Sequence, residues 1–197
     1  MGTLAAVWVL DLVTRGLVTG LLAMSNGYVQ TGQLWRLVTS SLTSGQLFGV
    51  LMNLLVLWLA GRALEAELGS WRFAVLYLAS GFGGATLFFL VAPLTAWSIG
   101  ATSAIIGLLA ANMIGKAKSG EDIRPDIGLL VLLVLYSVLV GFASFGWVTM
   151  IGGIIVGGLS GAILAYAPRQ NRRTIQLVGM LAVIGICLCL VLVKLAI

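Results

Sequence analysis

The side chains able to do chemistry in this chain are few, and most of them lie inside long apolar runs. A serine or threonine hydroxyl attacks only with an adjacent base, and histidine is the usual one; the 197 residues contain no histidine. Thr102 and Ser103 are hydroxyls within the apolar stretch Ile99–Gly115, and Asn53 is an amide within Leu47–Gly61. An amide at such depth must find a hydrogen-bond partner. Lys116 lies about 20 Å beyond Ser103 along a helix rising about 1.5 Å per residue, and Lys118 and Lys194 stand at the ends of apolar runs. Asp11 is four residues from Arg15 and shares its helix face. Charges within a membrane span are functional candidates, and a local ion pair is the expectation for these two. Cys187 and Cys189 point to different faces of one helix and read as packing groups. No nucleophile–base dyad can be assembled from this set, and no metal or cofactor is expected.

The elements that must position these groups are membrane helices. Hydrophobic residues make up 60% of the chain, charged residues 9%, and the mean hydropathy is +1.14; a soluble domain carries about 25% charged residues. Seven stretches are long and apolar enough to consider as spans: Leu4–Ala23, Leu47–Gly61, Phe73–Val91, Ile99–Gly115, Ile127–Phe145, Thr149–Ala167 and Ile175–Val193. The first reads as a retained helix and not a signal peptide. Arg62 and Arg72 flank the second connection; Lys116, Lys118 and Arg124 flank the fourth; Arg169, Arg172 and Arg173 fill the sixth. The positive-inside rule makes that side cytoplasmic, with the N-terminus inside and the C-terminus outside. Lys194 is the one dissenting tail charge. The first connection, Met24–Gln46, carries Tyr28 and Trp35 and reads as an interfacial loop, while Lys116–Asp126 reads as a solvated linker. Residues 1–167 form a six-helix membrane domain, and 168–197 a cytoplasmic basic link with a seventh transmembrane helix. No basic cluster suits nucleic acid, and a bacterial inner membrane is the expected location.

Glycine marks where helices meet. Gly153, Gly157 and Gly161 recur every four residues, making a smooth strip on the sixth stretch. The fourth offers a matching small face in Gly100, Ser103, Ala104, Gly107 and Ala111. Small residues let backbones approach and gain dispersion contacts in lipid, so these two helices are expected to pack together. The second, fourth and sixth helices are read as the inner ones.

From Trp35 to Tyr166 the chain resembles the rhomboid superfamily. Trp35-Arg36-Leu37 is similar to the tryptophan-arginine element of the family's membrane-lying first loop. Asn53, followed by Gly61-Arg62-Ala63-Leu64-Glu65 and Gly69, resembles its asparagine-bearing second helix and GxxxE…G connection. Gly100-Ala101-Thr102-Ser103-Ala104-Ile105-Ile106-Gly107-Leu108 resembles the GASGAxxGL segment, and Met150-Ile151-Gly152-Gly153 with Gly157 resembles HxGGxxxG. The resemblance implies an all-α polytopic fold, a rhomboid-like six-helix core plus a C-terminal seventh helix. It also places Thr102 where rhomboid proteases hold the nucleophilic serine, and Met150 where they hold the histidine base. Gly49 stands in place of an oxyanion-binding histidine, and Asn53 alone of that set is kept.

Two consequences follow as expectations. The chain is read as a pseudoprotease, not an enzyme, that binds other membrane proteins as a client-binding or quality-control factor, or as a subunit of a larger membrane complex. The alternatives are an unusual serine hydrolase using Ser103 or Thr102, and a small transporter. In rhomboids the fifth helix borders the route of a substrate helix, so the resemblance places the partner on that flank, with Trp35, Arg36 and Tyr136 as recognition groups. The competing reading of Trp35 is a lipid anchor, and of Arg36 a cap for local carbonyls.

Overall fold

The computed structural model describes residues 2–44, 47–141, 145–167 and 172–196. Ten helices appear among them: α1 Gly2–Val13, α2 Leu17–Leu22, α3 Asn26–Gln30, α4 Arg36–Thr39, α5 Leu47–Leu68, α6 Ser70–Val91, α7 Ala101–Ser119, α8 Arg124–Gly141, α9 Gly146–Tyr166 and α10 Arg172–Ala196. A 3-10 turn, Ser40–Leu42, follows α4, and β1 (Met24–Ser25) pairs antiparallel with β2 (Trp97–Ser98). The chain is an all-α polytopic membrane protein. Four of the described helical stretches are long and apolar enough to cross a bilayer: Leu47–Ala66, Ser70–Val91, Gly146–Tyr166 and Thr174–Ala196. Of the other long helices, α7 carries more polar residues, and these are shielded by protein: Ser103 and Asn112 are both buried.

The core is a three-helix seam of α6, α7 and α9 built where side chains are absent. A Cβ at Gly157 would strike the backbone of Gly107, and one at Gly153 the Ser103 carbonyl. One at Gly161 would lie 2.5 Å from Ala111 Cα. On the other side of α9, a Cβ at Gly152 would stand 2.6 Å from the Gly83 carbonyl oxygen. The most apolar part of α6 is 67% buried and that of α5 only 41%. This corrects the assignment of inner helices: the third stretch joins the fourth and sixth at the centre, and the second lies outside them. Gly81, Gly83 and Gly84 are the physical reason, since they give α6 a small face for α7 and α9.

Four further expectations change. The first stretch is not one helix, because Arg15 (φ 54°) and Gly16 (φ 89°) adopt left-handed backbone between α1 and α2. Asp11 forms no pair with Arg15. Its carboxylate accepts the Thr19 N–H at 2.6 Å and the Thr19 hydroxyl at 2.8 Å, satisfying a donor in the first turn of α2. The linker at Lys116–Asp126 is exposed along most of its length, as expected, but helical at both ends: α7 continues through Ser119, and buried Asp126 on α8 accepts from Lys116 Nζ (2.7 Å) and Asn112 Nδ2 (2.9 Å). Lys194 is no loose tail charge, for its ammonium donates to the Phe89 and Leu90 carbonyls at the end of α6. The α10 helix packs along α6 and α9, with Ile163 against Gly179. Arg169, and residues 142–144 of the expected fifth stretch, lie outside the described residues.

Candidate functional site

Asn53, 2% exposed on α5, reaches across to Thr102 on α7. Its Nδ2 donates to Thr102 Oγ1 at 3.1 Å, and Oγ1 lies 3.3 Å from Asn53 Oδ1. The pair answers the amide's need for a partner and ties α5 to α7 by side chains. One turn earlier on α5, Gly49 leaves room for the Tyr136 hydroxyl of α8; a Cβ there would stand 3.0 Å from it. Phe48 and Tyr136 close the same gap, with ring centroids 5.4 Å apart and planes inclined by 56°. Met150 is buried on α9 within the cluster that holds Ala101 and Ala104.

Ser103 points elsewhere. Successive residues on a helix are turned about 100°, and its hydroxyl donates to the Gly100 carbonyl at 2.7 Å. It sits in the seam against Gly84 and Gly153. Two hydroxyls adjacent in sequence therefore serve different interfaces: Ser103 the rigid centre, Thr102 the α5 side. Thr102 and Asn53 can each donate and accept, so this neutral pair can meet a backbone carbonyl or N–H from an entering segment. Among the described residues no cluster of three or more His, Cys, Asp or Glu could hold a metal ion.

The first connection fastens onto the start of α7. The Gly100 N–H donates to the Ser40 carbonyl (3.0 Å) and the Ala101 N–H to that of Thr43 (3.2 Å). These bonds occupy donors that a helix N-terminus leaves open. Tyr77 of α6 adds a 2.7 Å bond from its hydroxyl to the Ser41 carbonyl. Arg36 is buried and directed inward: Nη1 donates to the carbonyls of Gly20 (2.8 Å) and Ala23 (2.9 Å), and Nε to Gln33 Oε1 (2.7 Å). The guanidinium also lies 4.6 Å from the Tyr28 ring centroid. It caps α2 and holds the loop, so it is withdrawn from any partner surface. Trp35 remains outside, 56% exposed.

Sequence reasoning noted Tyr77, Ser80 and Gly81 only as part of the family resemblance and Asp126 only as the end of a linker, and it gave no role to Asn112, Gly83 or Gly84. The glycines carried a readable signal, because Ser80-Gly81, Gly83-Gly84 and Ala85 form a small-residue strip of the same kind as that on α9. The partners of Tyr77 and Asp126 carried none, since they lie 36 and 10 residues away in other elements.

The family model for the Rhomboid domain matches residues 31–167. The chain is 31% identical over 165 residues to Rhomboid protease GluP of Bacillus subtilis (strain 168), which covers 81% of this chain and 32% of that protein. It is 30% identical over 147 residues to RHOMBOID-like protein 6, mitochondrial, of Arabidopsis thaliana, covering 73% of this chain and 48% of that one. Inactive RHOMBOID-like protein 8 of the same plant is 32% identical over 144 residues, covering 71% and 41%. The chain thus spans about a third to a half of the length of these relatives. The comparison corrects one expectation. The reading of the chain as no enzyme does not stand beside a relative named a protease at 31% identity. Proteins named as a protease and as inactive both lie among its relatives.

Proposed function

The chain belongs to the rhomboid family, and from that premise we propose that it receives a transmembrane segment of another membrane protein at the flank between α5 and α8. The observation that carries this reading is the Asn53–Thr102 pair behind the Phe48–Tyr136 contact. Large apolar side chains line the approach, including Leu51 and Leu55 on α5 and Leu135 and Leu139 on α8. Apolar walls accept any membrane helix, so a single polar point inside supplies register. The bound protein is a transient client or a lasting partner subunit, and its rate of release on dilution distinguishes the two. Photocrosslinkers at Leu139 and Leu55 are expected to capture a single-span rhomboid substrate in proteoliposomes, and one at Leu181 on α10 is not. Capture from Leu181 alone would place the binding surface elsewhere.

The same pair favours a second reading, hydrolysis of the bound segment. Thr102 Oγ1 adds to the carbonyl carbon of the bound segment, with Asn53 Nδ2 donating to the carbonyl oxygen under attack. The hydroxyl proton passes through water to the leaving amine, because among the described residues no side chain beside it is a base. Water then hydrolyses the ester. Thr102→Val keeps the branched shape and removes the hydroxyl. Under this reading it abolishes cleavage of the reconstituted substrate while crosslinking at Leu139 persists. Cleavage that survives Thr102→Val excludes Thr102 as the nucleophile.

The proposed orientation in a bacterial inner membrane has the N-terminus in the cytoplasm. Its support is the basic set Arg62, Arg72, Lys116, Lys118 and Arg124 in the second and fourth connections. A cysteine replacing Ser119 is expected to be shielded from an impermeant thiol reagent in intact cells, and one replacing Gly32 to react.

A further inference from the structure

At the basic end of the bundle an open cleft of about 360 Å³ lies between the α5–α6 turn and the start of α10. Its walls differ in character. Leu68, Leu164, Leu177 and Met180 make one side apolar, while Arg72, Ser70 and the first turn of α6 make the other polar. Arg72 makes no ion pair among the described residues. Gln176 also lines the cleft and is 4% exposed. Its Nε2 donates to the Leu164 carbonyl at 3.0 Å, which fixes the amide's orientation and leaves Oε1 buried with no partner. A buried acceptor without a donor is costly, and this one lies in the wall of a cleft already supplied with a cation.

These requirements describe one kind of occupant. The apolar wall takes an acyl chain. Arg72, aided by the open N–H groups at the start of α6, takes a phosphate. Gln176 Oε1 then needs an N–H or O–H donor in the same molecule, beyond the phosphate. We infer that the cleft binds a glycerophospholipid whose headgroup carries a proton donor, as phosphatidylethanolamine and phosphatidylglycerol do and phosphatidylcholine does not. Exposed Trp71, also at the cleft, suits the headgroup level of a bilayer.

The quaternary ammonium of phosphatidylcholine makes the test direct. The full chain, delipidated in mild detergent, is titrated with the three lipids bearing identical acyl chains, and retention is read by native mass spectrometry. Phosphatidylethanolamine and phosphatidylglycerol are expected to bind about tenfold more tightly than phosphatidylcholine, the worth of one hydrogen bond to a buried acceptor. Gln176→Leu should level the three lipids, whereas Arg72→Gln should weaken all of them alike. Equal retention of phosphatidylcholine by the unmodified chain overturns the proposal and needs no variant. A preference that survives Gln176→Leu overturns the role of Oε1. Competition by glycerophosphoethanolamine, the headgroup without its chains, at concentrations equal to the lipid would show a soluble phosphodiester site and defeat the lipid assignment.

Discussion

The seam of α6, α7 and α9 and the flank of α5 and α8 are built from opposite materials. The seam is glycine, alanine and serine, so backbone meets backbone: Gly157 lies on Gly107, and Gly152 on Gly83. The flank is leucine, valine and aromatic residues, and many of these face outward, as Leu51, Leu55, Leu135 and Leu139 do. Lipid is as apolar as leucine, so burying such side chains between helices offers little advantage there, while close backbone approach gains dispersion contacts. Small residues therefore fix the part that must not move, and bulky ones leave a helix free to part from its neighbour. Two side-chain fastenings hold α8, Asn112–Asp126–Lys116 at one end and Phe48–Tyr136 towards the other, and Asn53–Thr102 holds α5.

The largest effect should come from giving the seam a side chain. Gly157→Leu places carbon on the Gly107 backbone, where no rotamer can yield. We expect a loss of about 3 kcal/mol or failure to fold, the upper end of overpacking, read as thermal denaturation in mild detergent. An unchanged melting temperature would mean that α7 and α9 can separate and that the two regions do not differ in kind.

Asp126→Leu tests the polar fastening. It strands Lys116 and removes the acceptor of buried Asn112. Breaking a buried pair costs roughly 3–5 kcal/mol, and the 20% exposure of the Lys116 side chain lowers the expectation to about 2 kcal/mol. Amide exchange should rise in α8 well before it rises in α9. Uniform exchange across both helices would show that α8 belongs to the rigid core.

Phe48→Ala should have the smallest effect. The aromatic pair contributes about 1 kcal/mol beyond contact area, and half of Phe48 already faces outward. Crosslinking between positions 48 and 136, rather than stability, should report the change. A loss comparable with that of Gly157→Leu would erase the contrast between seam and flank.

Much of this contrast was legible before any coordinates. The strip of Gly153, Gly157 and Gly161 has a period close to the helical repeat, so one face of α9 is small whatever surrounds it. The apolar runs and the alternation of basic connections are likewise properties of the chain read locally, and they specify a polytopic helical bundle. Thr102, Asn53 and Met150 could be aligned with a family pattern because such patterns are stretches of sequence. Their mutual geometry could not, because it depends on the relative placement of α5, α7 and α9. Only the tertiary structure decided that Asn53 would pair with Thr102 while Ser103 turned into the seam. It also turned two expected surface charges inward. Arg36 and Asp126 are hydrophilic by type, but each meets partners brought by another element, which compensate it away from water. Periodicity fixes which face of a helix is small or apolar; which neighbour that face meets is a long-range choice, made by the packing of all the helices together.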